Sequence, residues 1–219
     1  MDFESLKEKF EKENVCLVAV SKTHHPKEIK KIYNKGQFHF GENKVQELMT
    51  KVDLLPNDIR WHMIGHLQSN KVKEIVPFVH LIHSLDRFSL AKEIQKQAKR
   101  YQRKISVLLQ IKIAEEDSKH GIEPEKIEEF MNQFLERNYD QIKIKGVMGM
   151  ATFTKDEEKI KEEFQLLDRI FHRLKENYFS DDDRFTIKSY GMSSDYEIAL
   201  DHGSNMVRIG TLIFGERNY

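Results

Sequence analysis

Short apolar runs alternate with amphipathic stretches from Phe3 almost to the carboxyl terminus, an order that fits a parallel sheet covered by helices. Residues 3–12 predict a helix and 15–20 a strand, the strand marked by its bounded length and β-branched content. Helices over 26–35, 44–52, 70–76 and 88–103 interleave with strands over 37–40, 60–64, 78–82 and 105–113. Pro124 suits the first turn of a helix reaching residue 138, where its missing N–H costs nothing. Strands over 142–148, 186–189 and 206–209 follow, separated by helices over 156–178 and 195–202, with a closing turn from Leu212.

Eight or nine strands favour a closed TIM-type (β/α)8 barrel over an open sheet. No G-x-G-x-x-G follows the first strand and no Walker-type loop occurs, which weakens the open, nucleotide-binding alternative. The 219 residues suit one barrel, so a single α/β domain over 1–219 is expected, with Asp181-Asp182-Asp183 a solvated loop. Barrel chemistry sits at the carboxyl ends of the strands. The candidates there are Lys22, Gly41-Glu42-Asn43, Gly65-His66, Ser84, Met148-Gly149-Met150, the stretch from Ser189 to Ser194, and Arg208 to Thr211.

Charge excludes some partners. The 36 Lys+Arg balance 36 Asp+Glu, and the basic stretch 92–104 carries apolar residues at helical spacing, so it reads as a solvated face and not a nucleic-acid patch. A lone cysteine, Cys16, excludes an internal disulfide and reads as a buried thiol. The amino terminus lacks a secretory pattern and no apolar run is long enough to span a bilayer, so a cytoplasmic location is expected.

Lys22 shares a strand face with Cys16, Val18 and Val20. An amine above a dry core loses solvation, which lowers its pKa and makes it nucleophilic, as a Schiff-base lysine requires. A solvated lysine marking the strand's exit is the competing reading. After the last two strands, Tyr190-Gly191-Met192-Ser193-Ser194 and Ile209-Gly210-Thr211 offer backbone amides and hydroxyls where barrels often hold a phosphate, though helix capping uses the same amides. Arg208 lies in an apolar strand and needs a carboxylate partner or a ligand acceptor. His62 and His66 fall on a strand and its turn, where a four-residue spacing is no metal signature, and His24, His25, His80 and His83 read as solvated or hydrogen-bonded. No metal site is expected. Glu42 and Asp86 could act as acid or base, but no paired-carboxylate spacing singles them out.

Taken together, Ala19-Val20-Ser21-Lys22-Thr23, Phe40-Gly41-Glu42-Asn43-Lys44-Val45-Gln46-Glu47 and Trp61-His62-Met63-Ile64-Gly65-His66-Leu67-Gln68-Ser69-Asn70-Lys71 resemble the pyridoxal-phosphate homeostasis protein family, often called the YggS or PROSC group. Lys119-His120-Gly121, Gly146-Val147-Met148-Gly149-Met150, Gly191-Met192-Ser193-Ser194-Asp195 and the run from Val207 to Gly215 extend the likeness over nearly the whole chain. The resemblance implies a barrel like the amino-terminal domain of alanine racemase, with pyridoxal 5′-phosphate (PLP) held as an imine on Lys22. It implies a phosphate against Ser189, Gly191, Met192, Gly210 and Thr211, across the mouth from the lysine. It further implies Arg208 near the pyridine nitrogen, with Asn43 and His66 close to the ring, although both could equally fix the strand-end turns by hydrogen bonds. Tyr190 and Asn205 depart from the Met and Thr expected there; neither would touch the lysine, but Tyr190 would alter packing of the phosphate loop, and the short amino-terminal helix would loosen the barrel's rim.

An arginine at the pyridine nitrogen disfavours protonation there and weakens the ring as an electron sink. The family's catalytic relatives also take a tyrosine from a second domain across a dimer, for which a chain ending at Tyr219 is expected to leave no room. The reading is therefore a monomeric PLP reservoir and carrier serving PLP-dependent apoenzymes, without efficient catalysis. An amino-acid racemase or other PLP enzyme is the alternative, and a structural adaptor without a chromophore the third.

Overall fold

Alternation along the strands sorts the apolar side chains into two clusters. Val18, Leu81, Leu108, Met148 and Met206 pack together inside the barrel, whereas Leu17, Ala19, Trp61, Met63, Val207 and Ile209 join a larger cluster beneath the helices. The computed structural model describes residues 2–116 and 120–215. Its eight parallel strands are β1 (Cys16–Val20), β2 (His39–Glu42), β3 (Arg60–Met63), β4 (Leu81–Leu85), β5 (Ile105–Gln110), β6 (Ile142–Met148), β7 (Ile187–Met192) and β8 (Met206–Ile209). They close in sequence order, β8 pairing with β1 from Cys16 opposite Met206 to Ala19 opposite Ile209.

The helices are α1 (Phe3–Lys12), α2 (Pro26–Asn34), α3 (Val45–Val52), α4 (Val72–Ile75), α5 (Phe88–Arg100), α6 (Ile127–Glu136), α7 (Glu157–Tyr178), α8 (Tyr196–Asp201) and α9 (Thr211–Phe214). Among the described residues, none is long and apolar enough to cross a membrane. Helix α1 buries the stripe its spacing predicts, Phe3, Leu6 and Phe10, and Asp2 caps it by accepting from the Ser5 amide, whereas the short α9 buries none of its residues. The short α1 does not loosen the barrel, because β1 and β8 pair over four consecutive positions beside it.

Several strands differ from the sequence reading: β2 runs two residues later than 37–40, and β5 stops at Gln110 and not at 113. The fourth begins at Leu81 and not at 78, because the Phe78 and Val79 amides still bond the Ile75 carbonyl in a helical turn. Ser84 therefore lies buried inside β4 and not at its end. The seventh runs on to Met192 through a register shift after Ser189, and Gly191 makes this possible with φ +92. A Cβ there would lie 2.7 Å from the Ala199 Cβ.

Candidate binding site at the barrel mouth

The carboxyl ends of the strands surround a cavity of about 500 Å³, within the usual range for a small-molecule site. Lys22 enters it after β1, Asn43 after β2, Gly65 and His66 after β3, and Met150 after β6. Met192, Ser193 and Ser194 contribute from β7 and its loop, Arg208 from β8, and Gly210 and Thr211 from the turn beyond. Val20, Ile64, Gln110, His120 and Phe153 complete the lining. The sequence reading singled out none of these five as a site residue, although Val20, Ile64 and His120 fall in segments that carry the resemblance.

The half-buried Lys22 is held through its neighbours. Ser21 Oγ donates to Glu42 Oε1 at 2.6 Å, and Lys51 Nζ donates to the Ser21 carbonyl at 2.8 Å, to Glu42 Oε1 at 2.7 Å and to Glu47 Oε1 at 2.6 Å. Glu47 in turn accepts from the Thr23 amide. Thr23 carries φ +70, a costly conformation for a β-branched residue that the surrounding bonds must enforce. Glu42, a candidate acid or base from sequence, is thus a fully buried structural carboxylate outside the cavity; burial raises its pKa and Lys51 opposes the shift.

Arg208, 4% exposed, spends its guanidinium on backbone and hydroxyl oxygens, with the Asp195 carboxylate favouring its charge electrostatically. Its Nη1 donates to the Ser189 carbonyl at 2.6 Å and to Ser189 Oγ at 2.8 Å, and Nη2 donates to the Gly149 carbonyl at 3.0 Å. Burial lowers its pKa to about 10, so it stays charged at neutral pH. Ser189 is fully buried, does not line the cavity, and acts as a support for Arg208.

Below Arg208 a chain of imidazoles crosses the barrel. His39 Nδ1 lies 2.8 Å from His62 Nε2, His62 Nδ1 2.8 Å from His83 Nε2, and His83 Nδ1 3.2 Å from Ser189 Oγ. Arg60 Nη1 meets His39 Nε2 at 3.0 Å, and an arginine can only donate. His39 therefore accepts at Nε2 and donates from Nδ1, and the same tautomer follows along the chain to Ser189. Burial drives the His39 pKa to about 4 and holds those of His62 and His83 well below the ordinary 6.5, with further depression from neighbouring histidines, Arg60 and Arg208. In the unfolded chain these rings protonate near pH 6.5, so their contribution to stability is complete above that pH and is lost as pH falls toward 4. In metal-free buffer, thermal melts should show Tm dropping by several degrees or more between pH 7 and pH 5, at roughly 2–4 °C per kcal/mol. A flat profile over that window would contradict neutral burial of the cluster.

The loops after β7 and β8 are tied together by the Gly210 amide, which donates to Ser193 Oγ at 3.3 Å. Asp195 Oδ1 accepts the Met192 amide at 2.6 Å, so that N–H is already engaged. Because β8 adjoins β1, these loops flank Lys22 instead of facing it across the mouth; a Cβ on Gly210 would sit 3.3 Å from the Val20 carbonyl oxygen. Opposite them, His66 stacks on His120 with ring centres 4.0 Å apart, and a Cβ on Gly65 would lie 2.4 Å from the Asn43 carbonyl oxygen. The Gly65–Asn43 backbone approach fixes the position of Asn43 at the cavity edge. The Tyr190 ring is buried and its hydroxyl donates to the His202 carbonyl at 2.9 Å. Asn205 bridges β7 and β8, accepting from the Lys188 amide and donating to the Thr186 carbonyl. Lys119 lies outside the described residues.

The profile of the alanine racemase N-terminal domain family matches residues 2–218. A pyridoxal phosphate homeostasis protein from Aquifex aeolicus is 40% identical over 93% of this chain and 87% of its own length, and one from Helicobacter pylori is 38% identical over 92% and 88%. Among solved structures, PipY of Synechococcus elongatus with PLP bound superposes with a TM-score of 0.84 at 30% identity, covering 97% of this chain and 99% of that one. Alanine racemase from Streptomyces lavendulae shares the fold alone, with a TM-score of 0.78 at 12% identity over 99% of this chain and 56% of that one.

Proposed function

The chain belongs to the pyridoxal phosphate homeostasis protein family, and from that membership we propose that it binds PLP in the barrel mouth as a cytoplasmic reservoir and carrier. One observation carries the reading. An amine (Lys22), a guanidinium (Arg208) and three hydroxyls (Ser193, Ser194, Thr211) converge on one cavity whose described lining contains no carboxylate. That donor set suits an anionic aldehyde: hydroxyls and a cation for the phosphate and ring, an amine for the carbonyl.

In this reading Lys22 would hold the cofactor covalently through its Nζ. Bound PLP supplies the aldehyde and an electron-withdrawing ring. Ser193, Ser194 and Thr211 hold the phosphate, with Gly191, Met192 and Gly210 shaping the loops around it. Asn43 and His66 border the ring. Arg208, supported from beneath by Ser189, would sit near the pyridine nitrogen and as a fixed cation would disfavour its protonation. A weakened electron sink, with no tyrosine among the described lining residues, favours storage over amino-acid chemistry. The homeostasis names of the relatives agree with that reading.

Mixing the PLP-loaded protein with an apoenzyme that requires PLP tests the role. Restored apoenzyme activity is expected, matched mole for mole by loss of bound PLP, with no amino-acid turnover by the carrier itself. Racemisation at ordinary enzymatic rates, abolished in Lys22→Ala, would identify an enzyme instead.

A further inference from the structure

We propose that His39, His62 and His80 form a binding site for a divalent transition-metal ion at the end of the barrel opposite the cofactor cavity. His39 opens β2, His62 lies in β3 and His80 immediately precedes β4, so three neighbouring strands each present one imidazole. The spacing read from sequence gave no such set, because the three residues are brought together only by barrel closure.

Ring centres lie 5.1 Å apart for His39 and His62, 5.3 Å for His62 and His80, and 5.5 Å for His39 and His80, a nearly equilateral triangle. One nitrogen from each ring lies within 4.8 Å of the other two. Tetrahedral zinc, with bonds of about 2.1 Å, sets donor nitrogens about 3.4 Å apart and imidazole centres about 5 Å apart. The rings thus already stand at the spacing an ion requires, and only small rotations would equalise the nitrogen separations. His80 makes no side-chain hydrogen bond among the described residues, so its place in the triangle is not explained by the imidazole chain. All three pKa values lie below the ordinary 6.5, chiefly through burial, which keeps the imidazoles in their ligating neutral form.

The buried member is oriented from behind. With His62 Nε2 as ligand, His62 Nδ1–H donates to His83 Nε2 at 2.8 Å, the arrangement that fixes tautomer and ring plane in metal-bound histidines. His80 is exposed, which gives an ion a route in and leaves a fourth position for water. Three imidazoles favour zinc, copper or nickel over magnesium or calcium. One group opposes binding. An ion on His39 Nδ1 forces the proton onto Nε2, which then faces the Arg60 donor, so the exposed Arg60 side chain must swing away. Arg60→Gln should therefore tighten binding.

Full-length, PLP-loaded protein freed of metal with a chelator is titrated with Zn²⁺ by calorimetry, and with Co²⁺ to read tetrahedral visible bands. One equivalent is expected, weakened about tenfold or more in both His80→Gln and His39→Gln, and tightened in Arg60→Gln. Circular-dichroism melts check that each variant is folded; the exposed His80 position is the safest of the three. Absence of stoichiometric binding would overturn the site. So would binding unaffected by the two histidine variants, or binding lost instead in His120→Gln, which would move the ion to the His66, Asp86 and His120 group at the mouth.

Discussion

Lys51→Met is expected to destabilise the barrel by about 3–5 kcal/mol, the usual consequence of stranding one member of a buried ion pair. The Lys51 side chain is 3% exposed and that of Glu42 is fully buried, so water cannot take over for either charge. Glu42 Oε2 already lacks a hydrogen-bond partner among the described residues. Removing Lys51 also strips the Ser21 carbonyl of its donor and frees Glu47, which anchors the Thr23 amide. The turn around Lys22 then loses what holds Thr23 at positive φ. Denaturant titration should show the loss directly, and a thermal scan should show Tm lower by roughly 6–20 °C for a chain of this size. Glu42→Met combined with Lys51→Met should recover most of the stability, because a well-packed apolar pair replaces the charges without the desolvation cost. Unchanged stability in the single variant would mean the pair is solvated in solution and Lys22 is positioned by something else.

The fold was readable because barrel strands impose a two-residue period and their helices a 3.6-residue one. α1, β6 and β8 begin and end where the patterns place them. Legibility failed where a local signal was ambiguous. Phe78 and Val79 look like strand residues, yet their amides complete a helical turn. Ser189 looks like a phosphate ligand, but alternation along β7 turns it into the barrel beneath Arg208. The residues that approach the cavity along the chain's polar turns, Lys22, Asn43, His66 and Thr211, were legible one by one. His39, His62 and His80 were not, since nothing in one dimension says that strands two, three and four will set their rings in a triangle. Gln110 carried no signal of its own and His120 stood only as part of the Lys119-His120-Gly121 segment; the fold brings the Gln110 amide nitrogen to the His120 carbonyl at 2.8 Å.

Lys22→Ala is expected to eliminate covalent PLP while leaving the barrel standing. Borohydride reduction of the loaded wild type should leave one pyridoxyl group on the peptide containing Lys22, and none in the variant. The side chain is only half-buried and its turn is fixed through Ser21 and Thr23, so stability should move by about 1 kcal/mol or less. The imine absorbance should vanish, and the remaining affinity should come from the hydroxyls and Arg208 alone. If the covalent attachment contributes about 3 kcal/mol, Kd rises about a hundredfold. Lys22→Arg separates charge from chemistry: it keeps a cation at the cavity but offers a guanidinium that is never deprotonated and does not condense. It should retain noncovalent PLP better than alanine while remaining unlabelled. A pyridoxyl group found on another lysine in wild type, or labelling that persists in Lys22→Ala, would leave the cavity without its nucleophile and require a different anchor for the cofactor.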